Sequence, residues 1–249
     1  MKIISIKTKK IQPGDDLLKI LDQYLPSLQE KSVVAITSKI IAITEGRVKK
    51  SKNNTQTKDE WIIKEAEYYL PRESNKYQIM LTIKNNILIP TSGIDESNSN
   101  GNYVFWPKDP QKSANLIRTY LKKRFALKNI GVIITDSKTT PLRWGVTGVA
   151  ISHSGFDGLN DLIGKSDIFG KELRVTKVNV MDALAASAVL VMGESDEQTP
   201  IAVIEDLPFV QFVDRNPTQK ELDDLKIALE DDLYGIILTS APWIKGGNK

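Results

Sequence analysis

Apolar residues follow two spacings along the chain, and together they predict both strands and helices. Continuous apolar runs at residues 32–37, 86–90, 130–135 and 199–205 are typical of buried strands. A further strand is predicted over residues 145–151, after a turn that contains a proline. Buried runs of this kind indicate sheets that are covered by other elements of the fold.

Helical spacing or composition occurs in five segments: residues 17–25, 60–69, 110–128, 182–192 and 217–231. Residues 173–180 alternate like a half-buried strand, and the polar stretch 53–59 is expected to form a loop. No internal repeat or linker divides the chain. We therefore predict the α+β class: mixed sheets with flanking helices, forming one interwoven unit of two lobes over residues 1–249.

Composition restricts the chemistry that the chain can perform. With 41% apolar and 26% charged residues among 249, it has the composition of an ordinary soluble globular protein. It has no cysteine and one histidine, His153, which excludes disulfides, thiolate nucleophiles and cysteine-zinc sites. A metal ion would have to sit mainly on oxygen ligands, which favours Mg, Mn or Ca.

Charge and hydropathy indicate which partners and surroundings to expect. The net charge is +3 and the basic residues are dispersed, so nucleic acid is not an expected partner. No apolar run approaches the roughly 18 residues of a membrane span, and the N-terminus shows no signal-peptide pattern. We expect a cytoplasmic protein without a membrane partner.

Three clusters of side-chain oxygens follow apolar segments, at residues 92–98, 135–137 and 193–196. Their carboxylates and hydroxyls suggest a shared magnesium or manganese site that also binds phosphate. Asp95 and Asp136 are the leading candidate ligands. The alternative is that these acids only cap a helix or hold a turn through their own backbone.

Other candidates also have a structural alternative. Ser137 and Glu194 could hold a second ion, although Gly193 is also placed to end a helix. Lys39 could contact phosphates, or it could be an ordinary exposed lysine. Asn98 could recognise a nucleotide or form an Asx turn.

A proline-containing turn carries the candidates for binding an anionic substrate. Arg143 could clamp such a substrate with Trp144 as a wall, although a tryptophan is more often a core residue. His153 has no partner histidine or cysteine, and we expect it at the surface rather than in catalysis. The P-loop and dinucleotide glycine patterns are both missing.

Five segments recur in the order and spacing of a known family: residues 36–39, 45–47, 92–98, 131–136 and 190–194. Together they resemble the coenzyme F-420 gamma-glutamyl ligase family over about residues 13–209. The pattern is most similar to the branch of that family that is assigned to folate metabolism.

The resemblance implies a GTP-dependent, homodimeric ligase that joins L-glutamate to an acceptor carboxylate, activated as an acyl phosphate. It implies two Mg or Mn ions and an additional K ion. By analogy, Asp95 and Asp136 bind one metal, and Ser137 and Glu194 contribute to the second. The implied nucleotide contacts are Ser38, Lys39, Asn98, Met192, Gly193, Glu194, Ser195 and Asp196. The implied catalytic group is Lys39, Asp95, Asp136 and Arg143.

Two departures from the family pattern bear on substrate choice. Ile43 stands where ligases for the deazaflavin coenzyme usually carry a lysine, so we expect a different nucleotide affinity or preference. Residues 135–144 differ from the usual loop, so we expect a changed acceptor pocket. The acceptor is a deazaflavin F-420 precursor or a folate-like molecule. Two rival hypotheses are a metal-dependent nucleotide-binding module without ligase turnover and a metal-dependent phosphohydrolase.

Overall fold

The structure is a computed structural model that describes residues 1–51 and 55–247. Its helices are α1 (Leu17–Tyr24), α2 (Ser38–Thr44), α3 (Thr55–Glu65), α4 (Pro110–Arg124), α5 (Val180–Met192), α6 (Gln219–Asp223) and α7 (Gly235–Leu238). Its strands are β1 (Lys2–Ile6), β2 (Ser32–Thr37), β3 (Val48–Lys50), β4 (Tyr68–Leu70), β5 (Leu81–Lys84), β6 (Ile87–Pro90), β7 (Asn102–Val104), β8 (Ile130–Thr139), β9 (Val146–Ser154), β10 (Leu159–Asp161), β11 (Lys177–Asn179), β12 (Ile201–Glu205) and β13 (Ile244–Lys245).

A five-stranded sheet in the order β1-β12-β2-β8-β9 forms the centre of the larger lobe. Among the described strands of this sheet, only β2 and β8 pair in parallel, with Ser32 opposite Ile130 and Thr37 opposite Thr135. The carboxyl ends of two parallel strands lie at the same edge of a sheet. The residues that follow Thr37 therefore lie beside those that follow Thr135, which brings the start of α2 close to Asp136.

Both faces of this sheet are covered, which explains the apolar runs. Alternate side chains of β2, β8 and β12 pack on α1, α2 and α4 on one face. The intervening side chains, including Val33, Ala35 and Ile133, pack on α5 on the other face. Because successive residues of a strand point to opposite faces, a doubly covered strand must be apolar at nearly every position.

A second, four-stranded antiparallel sheet has the order β13-β4-β5-β6. Ile62 of α3 packs with Met80, Ile94, Tyr103 and Phe105 in the core of this smaller lobe. The pairs β3-β7 and β10-β11 are short two-stranded ribbons. Between β6 and β7, residues 91–101 cross from the smaller lobe towards α2 and carry Asp95.

The α+β class is confirmed, and most of the predicted elements are present. Several boundaries were wrong. Strand β8 runs on to Thr139, so Asp136 and Ser137 lie within the strand and not after it. The strand predicted over 173–180 is reduced to the exposed β11, and only the five residues of α6 are helical in the segment 217–231.

The predicted loop 53–59 also needs correction. Residues 53 and 54 lie outside the described part of the chain, whereas α3 already begins at Thr55 and ends at Glu65. Tyr68–Leu70 is a strand and not the end of that helix. Across residues 1–51 and 55–247, no helix combines the length and apolar character needed to cross a membrane.

Candidate active site

Lys39 and Asp95 form an ion pair where the two lobes meet. The ammonium nitrogen Nζ of Lys39 lies 2.6 Å from Oδ2 of Asp95. It also donates to the carbonyl and hydroxyl oxygens of Ser97, at 3.1 and 3.2 Å. The buried Ser38 precedes Lys39 at the start of α2. The parallel β2-β8 pair places the start of α2 at this edge of the sheet, and the loop 91–101 brings Asp95 to it.

The Asp95 carboxylate is also held by its own turn. Its Oδ1 accepts from the backbone N–H of Ser97 at 2.8 Å, and its Oδ2 accepts from the Ser97 hydroxyl at 2.9 Å. Burial opposes the negative charge, but Lys39 and the Ser97 donors outweigh it, so the pKa of Asp95 lies below its usual value. The turn predicted as the structural alternative therefore exists alongside the ion pair.

Asp136 faces the same site from β8. Its Oδ2 accepts a hydrogen bond from Nε1 of Trp106, and its Oδ1 accepts from the backbone N–H of Ser137 at 2.8 Å. Burial raises the pKa of Asp136 to about 6, and the nearby charge of Asp95 adds to this. The hydrogen bonds and the charge of Lys39 only partly oppose the rise. A half-buried carboxylate with a raised pKa is one that an added cation would stabilise.

Glu194 joins this group from the end of α5. Its carboxylate shares a hydrogen bond with the Ser137 side chain and interacts with the charges of Lys39 and Asp95. Desolvation raises the pKa of Glu194 despite the Ser137 contact. The three predicted carboxylates therefore act on one another across the sheet edge, although they lie far apart in the sequence.

The segment after α5 closes one side of the site. Gly193 ends the helix with φ of 82°, and its N–H donates to the carbonyl of Val189, so the predicted helix-ending role is confirmed. Nδ2 of Asn98 donates to the carbonyl of Ser195 at 2.6 Å. This side chain joins the Asp95 loop to the segment after α5. Met192 is buried and Asp196 is exposed.

The turn between β8 and β9 extends away from these carboxylates. Arg143 is exposed there, and Trp144 is 90% exposed, which contradicts a core role for this tryptophan. The Trp144 ring meets Tyr77 edge-to-face, with centroids 6.3 Å apart. Since β8 leads from Asp136 to this turn, the aromatic pair lies at the outer end of the strand that carries the site.

The expectation that His153 lies at the surface was wrong. It lies in β9 and is 2% exposed, with its ring 5.2 Å from that of Phe156. Burial lowers the pKa of His153 to about 4. The ring lies against Phe156 and Gly158, and the polar residues next to His153 in the sequence did not indicate this burial.

The oxygen-bearing side chains at this edge are of the chemical type that hard cations bind. Asp95, Asp136, Ser137 and Glu194 supply only oxygen, as Mg and Mn prefer. In the described ranges, however, no three or more His, Asp or Glu side chains form a group that could hold an ion. The structure shows the charge of Asp95 acting on Asp136, and a hydrogen bond between the side chains of Ser137 and Glu194. The Lys39 ammonium contacts Asp95.

Sequence reasoning missed three residues of the site: Ser97, Trp106 and Lys84. Ser97 lies in the oxygen-rich stretch and could have been found there. Lys84 lies in β5 and Trp106 follows β7. Both reach the site only through tertiary packing, so the sequence around them gives no signal of it. Ile43, in α2, is buried in a small core cluster with Ala42 and Val104.

Comparison with known proteins gives one consistent result. The model of the family F420-0:Gamma-glutamyl ligase matches residues 5–206. The chain is 35% identical to the coenzyme F420:L-glutamate ligase of Methanococcus maripaludis over 249 residues, which cover 94% of this chain and 97% of that protein. Enzymes with the same name in Methanopyrus kandleri and Archaeoglobus fulgidus are 35% and 32% identical, over 80% and 79% of this chain and 84% of each relative.

Proposed function

This chain belongs to the F420-0:gamma-glutamyl ligase family, and we propose that it couples L-glutamate to an acceptor carboxylate at the expense of GTP. The observation that carries the proposal is the meeting of Lys39, Asp95, Asp136 and Glu194 at one sheet edge. A phosphate-bearing substrate needs both positive charge and cation ligands at one place, and this edge offers both.

Amide formation from a carboxylate requires activation, because a carboxylate does not react with an amine at neutral pH. We propose that an acceptor oxygen attacks the γ-phosphorus of GTP and releases GDP, which gives an acyl phosphate. The neutral amine of glutamate then attacks the acyl carbon, phosphate leaves, and the nitrogen loses a proton. Each proposed step keeps several anions close together, so cationic groups are needed at the site.

Lys39 is the cationic side chain best placed for this task. Its ammonium already bridges α2 and the Asp95 loop. If a phosphate oxygen bound at this place, Lys39 would exchange its carboxylate partner for the phosphate. We propose that Ser38, Asn98 and the segment Met192, Gly193, Glu194, Ser195 and Asp196 border the nucleotide. The Asn98 bond to Ser195 supports this, since it holds the two segments together.

Two Mg or Mn ions would be held by Asp95 with Asp136, and by Ser137 with Glu194. When bound, such ions neutralise the charge of the phosphate oxygens. The chain's own contribution is to fix the ligands: Trp106 and Ser97 orient the two aspartates before any ion arrives. A K ion, a homodimeric assembly and a cytoplasmic location remain parts of this proposal.

The acceptor is proposed to be a deazaflavin F-420 precursor, in keeping with the names of the relatives, or a folate-like molecule. Both have a planar ring joined to a carboxylate. Exposed Trp144 and Tyr77 offer aromatic faces for such a ring, and Arg143 on the same turn offers charge for an acidic group. Either ring would lie at the outer end of β8 while its carboxylate reached towards Asp136.

The test is turnover by the purified chain with GTP, Mg²⁺ or Mn²⁺, L-glutamate and each acceptor in turn. A ligase adds the mass of a glutamyl residue to an acceptor and releases phosphate only when glutamate is present. Phosphate release that ignores glutamate would instead identify a phosphohydrolase. Nucleotide binding without phosphate release, across both acceptor classes, would favour a binding module.

A further inference from the structure

Trp106 is a fully buried indole whose only polar atom faces a carboxylate of the candidate site. The residue is 1% exposed, and its Nε1–H donates to Oδ2 of Asp136. A buried indole N–H normally needs an acceptor, and a carboxylate is a strong one. The second oxygen of Asp136 is held by the Ser137 N–H. Both carboxylate oxygens are therefore oriented by protein donors.

The indole ring itself is fixed by charged groups of the smaller lobe. Nζ of Lys84 lies 4.9 Å from the centroid of the Trp106 ring, and it pairs with Glu65 at 2.8 Å. Lys84 is buried, and this burial lowers the pKa of its ammonium although Glu65 opposes the change. A cation over the face of an indole is attracted to the ring, and more strongly so away from water.

The backbone of Trp106 is held by the same network. Nε of Arg47 donates to the carbonyl of Trp106 at 3.2 Å, and Nη2 of Arg47 pairs with Glu65 at 2.8 Å. Glu65 thus links the cation above the ring to the cation at the backbone. The network fixes both the position and the tilt of the indole.

Gly93 provides the space that the indole needs. A Cβ at this position would overlap Nε1 of Trp106, and the φ of 70° is one that other residues rarely adopt. The loop carrying Asp95 thus passes directly over the indole nitrogen. Trp106 touches the Asp95 loop at Gly93 and the Asp136 strand at its carboxylate, so it can set the relation between the two proposed metal ligands.

From these contacts we infer that Trp106 is a positioning residue for Asp136, which orients this carboxylate towards a divalent cation. The inference rests on the proposed function only in taking Asp136 as a cation ligand. Groups that hold metal ligands from outside typically contribute 10- to 100-fold to metal affinity or activity. The assignment is independent of the acceptor and of the nucleotide.

The experiment measures Mn²⁺ binding to the full chain by titration calorimetry, with free Mn²⁺ followed by electron paramagnetic resonance. Trp106→Phe keeps an aromatic ring and removes the N–H. We expect Mn²⁺ binding to weaken by roughly 10-fold or more. Trp61→Phe is the matched control, because Trp61 contacts Phe105 in the same lobe. The control is expected to bind Mn²⁺ like the wild type.

Unchanged Mn²⁺ affinity in a folded Trp106→Phe protein would overturn the inference, and so would an equal loss in Trp61→Phe. If thermal unfolding shows that Trp106→Phe does not fold, Lys84→Met takes its place, since it loosens the ring and keeps the N–H. Weakened binding in Lys84→Met supports the inference, and wild-type binding overturns it. This experiment measures Mn²⁺ binding alone and is separate from the turnover test of the ligase proposal. The ligase proposal fails if the wild-type protein binds Mn²⁺ but shows no glutamate-dependent phosphate release.

Discussion

The ammonium of Lys39 lies 2.6 Å from the carboxylate of Asp95, although 55 residues separate them in the chain. The pair joins the larger lobe, through α2, to the loop that leaves the smaller lobe. Both side chains remain partly exposed, at 26% and 44%. Exposed pairs of this kind contribute about 0–1 kcal/mol to stability. The contact therefore contributes little to the stability of the fold, and we expect its main role in ligand binding.

Lys39→Met should reduce glutamate-dependent GTP turnover by about 10²-fold or more, because it removes a cation from the proposed phosphate position. The midpoint of chemical unfolding should change little. Lys9→Met is a suitable control, since Lys9 pairs with Asp15 on an exposed surface at 2.5 Å. Full activity of Lys39→Met, measured as phosphate release, would exclude a phosphate-binding role.

Asp136→Asn should abolish metal-dependent turnover while it stabilises the metal-free protein above pH 6. The pKa of Asp136 is raised by burial to about 6, so ionisation in the folded state costs free energy. This penalty is absent below about pH 4, grows as the pH rises towards 6, and is constant above that, at up to about 3 kcal/mol. The variant has no such penalty.

Chemical unfolding of wild type and Asp136→Asn between pH 4 and pH 8, without metal, measures this difference. Added Mn²⁺ should stabilise the wild type more than the variant, which keeps only the proposed second pair of ligands, Ser137 with Glu194. Asp95→Asn should likewise lose metal-dependent turnover, but without stabilisation at high pH, since the pKa of Asp95 is lowered. Equal stability of wild type and Asp136→Asn at every pH would contradict the proposed burial of this charge.

The sequence predicted an element best where the pattern of apolar residues depends on that element alone. The apolar run of β2 needs only a doubly covered sheet, and its boundaries were predicted correctly at Ser32 and Thr37. The capping box of α6, between Thr218 and Glu221, is a true local signal. It starts a helix but cannot extend one, because residues 224–231 do not pack against a hydrophobic core and none of them is buried.

Contacts between lobes could not be predicted in this way. The oxygen-rich stretch predicted Asp95 as a site residue, but nothing near Lys84 or Trp106 in the sequence indicates that they approach Asp136. Their partners are set by how the smaller sheet packs on the larger one. The metal was suggested by the oxygen-rich segments, and the nucleotide and the acceptor by the family resemblance, so none of the three was inferred from the packing of the lobes.

Trp144→Ala should raise the KM for a ring-bearing acceptor roughly 3- to 10-fold and leave the KM for glutamate unchanged, because it removes an aromatic face worth about 0.5–1.5 kcal/mol. Stability should be preserved, since Trp144 is 90% exposed. Phe169→Ala is the matched control, as Phe169 is 89% exposed on another loop. A KM change for both substrates, or for neither, would argue against an acceptor site at this turn.

His153 offers a direct test of the fold, because it is the only histidine in the chain and its signals need no assignment. Its burial lowers its pKa to about 4, so the imidazole stays neutral in the folded state while the unfolded chain takes up a proton near pH 6.5. The folded state therefore loses up to about 3 kcal/mol as the pH falls from 6.5 to 4, and nothing above that range. The two C–H resonances of this imidazole in proton NMR should show no titration between pH 8 and pH 5. His153→Met should lessen the acid sensitivity of unfolding. A resonance that titrates near pH 6.5 would place the ring in water and contradict the packing of β9 against Phe156.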